Sequence, residues 1–438
     1  MTKADESPSE SKQATKLPAG LRLTPSINGQ LVLSFDEPPC HPRDPLCMSF
    51  WWKGWMTLFA ALLVMGTALS SSAPSGGVMF IQDDLGGGNS ALPLTTFLLG
   101  YVAGPFIGAP LSEAYGRRPV FIWGGLLFLI FTAGCAGAQS WTALLVLRFF
   151  AGFFGSVPTT NIFACRETYA PVILSKLARQ LRQETGDARI VSRIEAEEMA
   201  SRGTPRAERL RREAKRILVT PLLMIATESI VGYTTLFMSL VYGLIYLLFE
   251  AYPIIFGQIH GLGPGYESLP FLSTLVGAVV SVSLWFQKDF LRRVVKAGGV
   301  PTPEMRLPPA QLGGLLTVVS FLWLGWSGYR ASTPWIVPTL SGVPQGVASV
   351  LIFRSLQTYM LDTYERNGAS ALAANVVSRS AFGAFLPLTA KPMFRTLGVQ
   401  WACTLLAGLM LLLCPVPWVF ERYGERIRRN SRFTPGRQ

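Results

Sequence analysis

Three charged residues interrupt long uncharged stretches of this sequence, and they are its first candidates for chemistry. They are Arg148, Glu250 and Arg379. An ionised side chain in an apolar helix is costly, so it is expected to face a cavity or a partner, and such residues mark ion and solute pathways. A carboxyl group also gains and loses a proton, and a nearby charge changes how readily it does so. The three residues are therefore the candidates for coupling the movement of a solute to protons.

Two tyrosines share one predicted helical face with Glu250. Tyr242 and Tyr246 are four residues apart and Glu250 follows four residues later, a spacing that places all three side chains on the same side of a helix. Facing a cavity, this stripe would suit a cationic amphipathic solute, through cation–π contact with the rings and attraction to the carboxylate. The alternative is that the three residues form part of an aromatic belt at a membrane interface and bind no solute.

The elements that must position these residues are long apolar helices. Charged residues make up only 15% of the 438 residues, and the uncharged runs between them exceed the roughly 20 residues that a helix needs to cross a bilayer. Soluble core helices rarely contain such runs, so the pattern predicts an all-α, polytopic membrane protein. Ten spans are predicted, near residues 55–74, 93–112, 119–138, 141–163, 231–256, 268–287, 310–329, 333–355, 369–390 and 398–420.

The charged blocks divide these spans into a four plus six arrangement. Residues 1–50 are rich in Ser, Pro and Lys and predict a disordered cytoplasmic tail. Residues 51–165 then hold four helices, and residues 221–420 hold six. Between them, residues 166–220 alternate basic and acidic side chains, which is typical of a solvated, helical cytoplasmic loop near anionic lipid. Residues 421–438 form a basic cytoplasmic tail.

The basic residues also predict the orientation. With both termini in the cytoplasm, 35 of the 39 Lys and Arg residues lie on or beside the cytoplasmic face and only three lie on the other face, as the positive-inside rule requires. The net charge of +13 therefore reflects membrane topology, and no nucleic-acid partner is predicted. The six cysteines contain no CxxC pair and there are two histidines, so neither a disulfide framework nor a metal site is expected. Because no nucleophile–base pair or phosphate-binding loop was found either, the sequence predicts no enzyme and no cofactor.

The sharpest motif is Ala109-Pro-Leu-Ser-Glu113-Ala-Tyr-Gly116-Arg117-Arg118-Pro119, directly after the second span. Gly116 permits a sharp turn, and Glu113 could lie against a helix N-terminus, where a negative charge is favoured. The alternative is an ordinary basic turn. The motif resembles the G-x-L-a-D-R-x-G-R-R signature of the major facilitator superfamily, with Ala109 and Glu113 in place of Gly and Asp, changes associated with the fungal drug and polyamine proton-antiporter branch. This resemblance implies a conformational latch made by Glu113, Gly116, Arg117 and Arg118.

Further segments carry the same resemblance over about residues 45–430. Leu147-Arg148-Phe149-Phe150-Ala151-Gly152 is similar to the family's R-F-x-x-G motif, whose arginine is linked to proton coupling, although Arg148 could instead snorkel to the interface. Asn375 and Arg379-Ser380 match the eleventh helix, and Asn375 is a candidate for the substrate cavity. The implied function is proton-coupled export of a small organic cation, drug or polyamine-like solute by alternating access. The implied partners are that solute, protons and the bilayer, and the implied location is the plasma membrane.

The sequence departs from the family between helices four and seven. After Ser156 to Asn161 it passes directly to Arg166-Glu-Thr-Tyr-Ala-Pro171, an element that normally follows helix six. Helices five and six, about 60 residues, are therefore predicted to be absent. Loss of an even number of spans leaves later helices correctly oriented. Because helix five carries the family's antiporter motif, the alternative function is a transport-inactive member, or an incomplete gene product, that acts only by assembling with other membrane proteins.

Overall fold

The computed structural model describes most of the chain as helix. The described residues are 21–25, 30–35, 49, 51–52, 54–55, 66–115, 117–156, 170–192, 195–196, 199, 219–263, 265–281, 290, 292–295, 302–364, 368–429 and 431, with the backbone alone for 25, 35, 75, 76, 78, 79, 108–115, 117, 118, 121, 170–172 and 369. Within this part of the chain every long element is a helix, which confirms the predicted all-α bundle. Helices are expected because a chain in lipid must satisfy its backbone hydrogen bonds within each segment.

The first group of helices forms a compact unit. Its members are α1 (66–72), α2 (Val78–Leu85), α3 (Leu92–Tyr115), α4 (Arg117–Ala136) and α5 (Trp141–Gly155). α3 and α5 approach so closely that a Cβ placed on Gly152 would overlap the carbonyl oxygen of Phe97, and one on Gly100 would overlap that of Phe149. Small residues of this kind let helices pack in lipid, where no hydrophobic force drives them together.

A small sheet joins the beginning of the chain to its central loop. Strands β1 (Leu21–Pro25) and β2 (Leu31–Phe35) pair antiparallel, and β2 pairs in parallel with β3 (Ile190–Ser192). Helix α6 (Ala170–Thr185) covers the sheet, burying the apolar residues Leu21, Leu33, Ile173, Leu177, Ala178, Leu181 and Ile190. The prediction of a disordered tail over 1–50 is therefore wrong for both strands, and the central loop is more than a solvated linker. Composition concealed the two five-residue strands because each is short and lies in a polar segment, and because the second partner of β2, strand β3, lies more than 150 residues away.

A partly buried ion pair fixes the end of this sheet. Glu195 accepts a hydrogen bond from the Arg182 guanidinium at 2.7 Å and one from the Ser192 backbone N–H at 3.1 Å. Burial alone raises the pKa of the Glu195 carboxyl group, but these hydrogen bonds outweigh it and hold the pKa below its ordinary value. The interactions tie α6 to the residues that follow β3.

The second group of helices forms one continuous core. Its members are α7 (Thr220–Thr227), α8 (Ser229–Tyr252), α9 (Phe271–Ser281), α10 (Pro308–Gly328), α11 (Ile336–Leu340), α12 (Gly342–Thr363), α13 (Gly368–Phe385), α14 (Ala390–Leu413) and α15 (Pro415–Arg429). α8 is central, because it is buried along nearly its whole length, and it continues as a π-helix over Pro253–Ile259. A single apolar cluster runs from Met224 to Phe420 through this group.

Several predicted boundaries change. The span predicted at 333–355 is two helices, α11 and α12, and the span predicted to end at 420 is followed by α15, so that 421–429 is helical rather than a tail. Arg428 in α15 holds the Glu304 carboxylate through two hydrogen bonds of 2.9 and 3.0 Å, which docks this helix on the 3-10 helix Pro303–Arg306 that precedes α10. Parts of the spans predicted at 55–74, 141–163 and 268–287 lie outside the described residues, namely 56–65, 157–163 and 282–287.

Four helical stretches are long and apolar enough to cross a membrane. Among the described residues these are Ser229–Ile259, Pro303–Gly328, Ile336–Thr363 and Ser370–Arg429. Shorter apolar helices occur at Leu92–Ile107, Ile122–Ala136 and Trp141–Gly155. The protein is thus a polytopic helical bundle, and the predicted count of ten spans stays a prediction.

Candidate functional site

The two groups of helices meet where α3 packs against α8 and α13, an interface that we call the seam. Leu94, Leu98, Tyr246 and Ala384 form its buried apolar core. Thr95 donates a hydrogen bond across the seam to the carbonyl oxygen of Ala384 at 2.9 Å, and the hydroxyl groups of Ser71 and Tyr246 lie 3.0 Å apart. The seam thus brings predicted site residues of the second group, Tyr246 and Glu250, into contact with the first.

Tyr242 and Tyr246 form an aromatic pair on the seam side of α8. Their ring centroids are 4.8 Å apart, and the Tyr242 hydroxyl donates to that of Tyr246 at 3.3 Å. The ring of Phe353 from α12 meets Tyr242 edge-on at 6.1 Å. The helical spacing thus places the two tyrosines together as predicted. The packing of α12 against α8 adds a third ring, Phe353, that the sequence analysis did not identify.

Arg379, from the middle of α13, points at these rings. Its guanidinium carbon lies 5.2 Å from the centroid of Tyr242 and 5.8 Å from that of Phe353. Its Nε is buried and has no hydrogen-bond partner among the described residues. One turn earlier on α13, the Asn375 side chain is fully buried, with Nδ2 3.4 Å from the sulfur of Met238 and Oδ1 without a partner in the described part of the chain.

Glu250 lies one turn beyond Tyr246, at the end of the seam where α3 begins. Its carboxylate is 5% exposed and accepts a hydrogen bond from Ser90 at 3.1 Å. Lys391, at the start of α14, is a basic group whose charge acts on it. Glu250 therefore continues the tyrosine stripe as the spacing predicts, but its contact is with the other group of helices rather than with the rings.

Arg148 is turned into the bundle. It is 9% exposed, its Nη1 donates to the carbonyl oxygen of Ser70 at 2.6 Å, and its guanidinium lies 5.9 Å from the Phe97 centroid. The arrangement favours an interior role over snorkelling, because a snorkelling arginine keeps its charged group in water. Arg148 and Arg379 are on different helices of different groups, and no contact joins them among the described residues.

The predicted latch cannot be placed in the same way. Gly116 and the side chains of Glu113, Arg117 and Arg118 lie outside the described residues, and only the helical backbone of α3 and α4 on either side is described. The latch stays a prediction from the motif. Ser71, Ser90 and Phe353, by contrast, are contact residues that the sequence analysis missed, because uncharged serines and phenylalanines in apolar helices give no distinguishing signal.

Comparison with known proteins identifies the family. The sequence pattern of the Major Facilitator Superfamily matches residues 55–173. The chain is 34% identical to the major facilitator superfamily multidrug transporter mdrA of Aspergillus fumigatus, over 90% of this chain and 74% of that protein. It is 33% identical to the efflux pump MFS2 of Trichophyton rubrum, over 90% of this chain and 76% of the relative.

Solved structures show the same fold. The proton:xylose symporter XylE superimposes with a TM-score of 0.52 over 84% of this chain and 95% of XylE, at 16% sequence identity. At that identity the likeness concerns the arrangement of helices and nothing else. Together with the two fungal relatives, it leads to one conclusion: the chain belongs to the major facilitator superfamily, and it is an integral membrane transporter rather than an enzyme.

Proposed function

We propose that this transporter exports a small, amphipathic, drug-like compound in exchange for protons, by alternating access. The observation that carries the proposal is the Glu250 carboxyl group, which is buried across the seam and lies one helical turn from the Tyr242–Tyr246 pair. A group that can bind a proton thus lies beside the tyrosines predicted to line the substrate cavity. It lies at a contact that must break if the two groups of helices separate. The names of the Aspergillus and Trichophyton relatives, a multidrug transporter and an efflux pump, support export.

The basic residues support the orientation. With 35 Lys and Arg residues assigned to one face, we place both termini in the cytoplasm and the start of α3, with Ser90 and Glu250, at the outer end of the bundle. The plasma membrane is the location proposed for an exporter of this branch. In this orientation the Ser90–Glu250 contact closes the outer end of the seam.

Closure of the outer end would then depend on a proton. Burying an ionised carboxylate costs far more than burying its neutral form. When the outer end of the seam is open, the Glu250 carboxyl group exchanges protons with the outside. Closure of that end favours the protonated form of the carboxyl group. Opening to the cytoplasm then lets the proton leave and the solute enter. One proton crossing 100 mV releases about 2.3 kcal/mol, and each pH unit adds about 1.4 kcal/mol.

Other site residues predicted from the sequence have supporting roles in the proposed transport cycle. Arg148 ties α5 to α1 through Ser70, so we propose that it transmits the proton-linked movement within the first group of helices. Glu113, Gly116, Arg117 and Arg118 are proposed to latch the cytoplasmic side, as the motif implies. The cationic or polyamine-like solute predicted from the sequence has less support, because Arg379 already lies against the Tyr242 ring.

Reconstitution tests this proposal. The purified chain is placed in liposomes and given ethidium, Nile red and fluorescein, which are a cation, a neutral dye and an anion. In the population whose cytoplasmic face is outward, an acidic interior should drive accumulation of at least one dye, and a protonophore should abolish it. Accumulation that survives the protonophore would exclude proton coupling.

A second candidate function is favoured by the predicted gap. The match to the Aspergillus relative runs over 460 residues, whereas 90% of this 438-residue chain is about 394 residues. At about 66 aligned positions, therefore, the relative has a residue and this chain has a gap. This number is close to the roughly 60 residues of the two helices predicted to be missing. A chain without them could be transport-inactive and act only in assembly with other membrane proteins. Failure to accumulate any of the three dyes would favour this candidate.

A further inference from the structure

Resting on the proposed export function, we infer that the solute is an aromatic organic acid, whose carboxylate pairs with Arg379 while its ring packs on Tyr242, Tyr246 and Phe353. The inference starts from the surroundings of Arg379, which lies at the middle of α13 beside the seam. Among the described residues they contain three aromatic rings and neutral polar groups, and no acidic side chain of the kind that an arginine inside an apolar helix normally pairs with.

The guanidinium of Arg379 has unused donors. Its contacts in the described chain are with the faces of Tyr242 and Phe353, at 5.2 and 5.8 Å, and its buried Nε donates to nothing there. A guanidinium is always charged and presents five N–H donors in a planar fork that matches a carboxylate. Leaving the buried Nε donor unpaired is costly, and a ligand that accepts from it recovers that cost.

The two buried acidic residues in the described part of the second group, Glu228 and Glu250, are engaged elsewhere. Glu250 accepts from Ser90 at the outer end of the seam, and Glu228 accepts from Tyr364 at 3.0 Å at the opposite end of α8. The titratable groups that face Arg379 in the described chain are the hydroxyl groups of Tyr101, Tyr242 and Tyr246. The positive charge is therefore balanced by no ionised partner among these residues.

A cationic solute fits this arrangement poorly. Two like charges a few ångströms apart repel strongly where water is excluded, and the face of the Tyr242 ring that a cation would use already lies against Arg379. An aromatic acid meets both requirements of the site. Its ring packs on the cluster formed by Tyr242, Tyr246 and Phe353, and its carboxylate accepts hydrogen bonds from the Arg379 guanidinium.

Three probes with one ring and different charges test the inference. They are 1-naphthoate, 1-naphthalenemethanol and 1-naphthylmethylammonium, and their affinities for the full chain in lipid nanodiscs are measured by titration calorimetry at pH 7. Naphthoate should bind most tightly. Arg379→Gln should weaken naphthoate binding by about tenfold to a hundredfold, the range expected for a charge-assisted hydrogen bond, and should change binding of the alcohol by less than about twofold.

Two further variants control the experiment. Arg379→Lys keeps the charge without the fork and should retain part of the naphthoate affinity. Arg330→Gln is the matched control, because the Arg330 guanidinium also lies over a tyrosine ring, 5.0 Å from the centroid of Tyr329, but in an exposed loop. This variant should leave the affinities for all three probes unchanged. If a variant does not fold, the order of the affinities of the three probes for the unaltered chain still tests whether the site prefers an organic acid.

The outcomes separate this inference from the export function. Tightest binding of the ammonium probe, or an equal effect of Arg379→Gln on all three probes, would overturn the organic acid while leaving export untouched. Arg379-dependent naphthoate binding without accumulation of fluorescein in the liposomes would support the acid-binding site and count against export. Accumulation of ethidium or Nile red, with neither binding of naphthoate nor movement of fluorescein, would support export and refute the acid.

Discussion

Glu250 and Arg379 are both ionisable and both lie within helices, yet their surroundings separate their roles. The Glu250 carboxylate contacts Ser90 across the seam, where movement of the two halves would make or break the contact. Among the described residues, the contacts of the Arg379 guanidinium are with the rings of Tyr242 and Phe353, and it lies beside the seam rather than across it. A group at a moving contact suits proton exchange, and a group with unused donors suits ligand binding.

We expect Glu250→Gln to remove most of the pH dependence of transport. Glutamine keeps the size of the side chain and can still accept from Ser90, but it takes up no proton. If one proton is coupled, the accumulation ratio should change about tenfold per unit of pH gradient in the unaltered chain and become nearly independent of the gradient in the variant. The measurement is dye accumulation in liposomes at several internal pH values. Ser90→Ala is the control, because it removes the contact and keeps the carboxyl group, so the pH dependence should persist.

An unchanged pH profile in Glu250→Gln would move the proton step to another residue. Arg148 would then be the next to examine. It is buried and bonded to α1 through the Ser70 carbonyl, so it could act on a titrating group that lies outside the described residues. The proposed roles of the two residues are therefore separable by experiment.

The sequence could predict those site contacts that depend on helical spacing. Tyr242 and Tyr246 meet because residues four apart share a face, and that holds wherever the helix lies. The partners Ser90 and Phe353 come from other helices, and Ser90 lies 160 residues from Glu250 in the sequence. Such contacts depend on how the helices pack, which no local pattern encodes.

At the scale of elements, close packing of α3 and α5 rests on glycine. A side chain at Gly152 would overlap the backbone of Phe97, whereas Gly408 in α14 has open space around it. Ala raises helix propensity by about 1 kcal/mol over Gly at either site. Any difference between the two positions therefore reports on helix packing alone.

We expect Gly152→Ala to destabilise the protein and Gly408→Ala to leave it unchanged or slightly more stable. Forcing a Cβ against a backbone carbonyl separates two helices, and overpacking of this kind costs about 1–3 kcal/mol. Thermal unfolding in detergent, followed by light scattering and tryptophan fluorescence, measures the difference. Equal unfolding temperatures for the two variants would show that α3 and α5 are not held as closely as the structure places them.

Elements that need a distant partner were hard to predict. The tail strand at Leu31–Phe35 pairs with Ile190–Ser192, and neither is recognisable alone, since each is short and lies in a polar segment. The apolar helices were predictable because length and lack of charge are local properties. The boundaries at α11 and α15 were missed since both helices adjoin another apolar helix, and only a short turn separates them.

At the scale of the whole molecule, the two groups of helices differ in completeness. The second group has a continuous core from Met224 to Phe420, whereas the described part of the first group has three long helices and a much smaller core around Phe97, Phe128 and Ala151. In the second group, the outward side of α9 is apolar and exposed along its length, at Leu272, Leu275, Val276, Val279 and Val280. Part of this surface faces lipid in any membrane protein, but a missing helix pair would leave more of it uncovered.

We expect limited proteolysis in detergent to leave the 221–420 region protected, while the 51–165 region is cut or aggregates. Helices associate in lipid through shape-matched packing and interhelical hydrogen bonds, so loss of two neighbours weakens the smaller group specifically. Inserting the fifth- and sixth-helix segment of the Aspergillus relative after Asn161 should raise both the protection of 51–165 and the export of dye. A Gly/Ser segment of equal length is the control and should raise neither. If the unaltered chain resists protease equally in both regions and exports dye unaided, the gap is harmless, and the protein is a compact transporter that works without the missing helices.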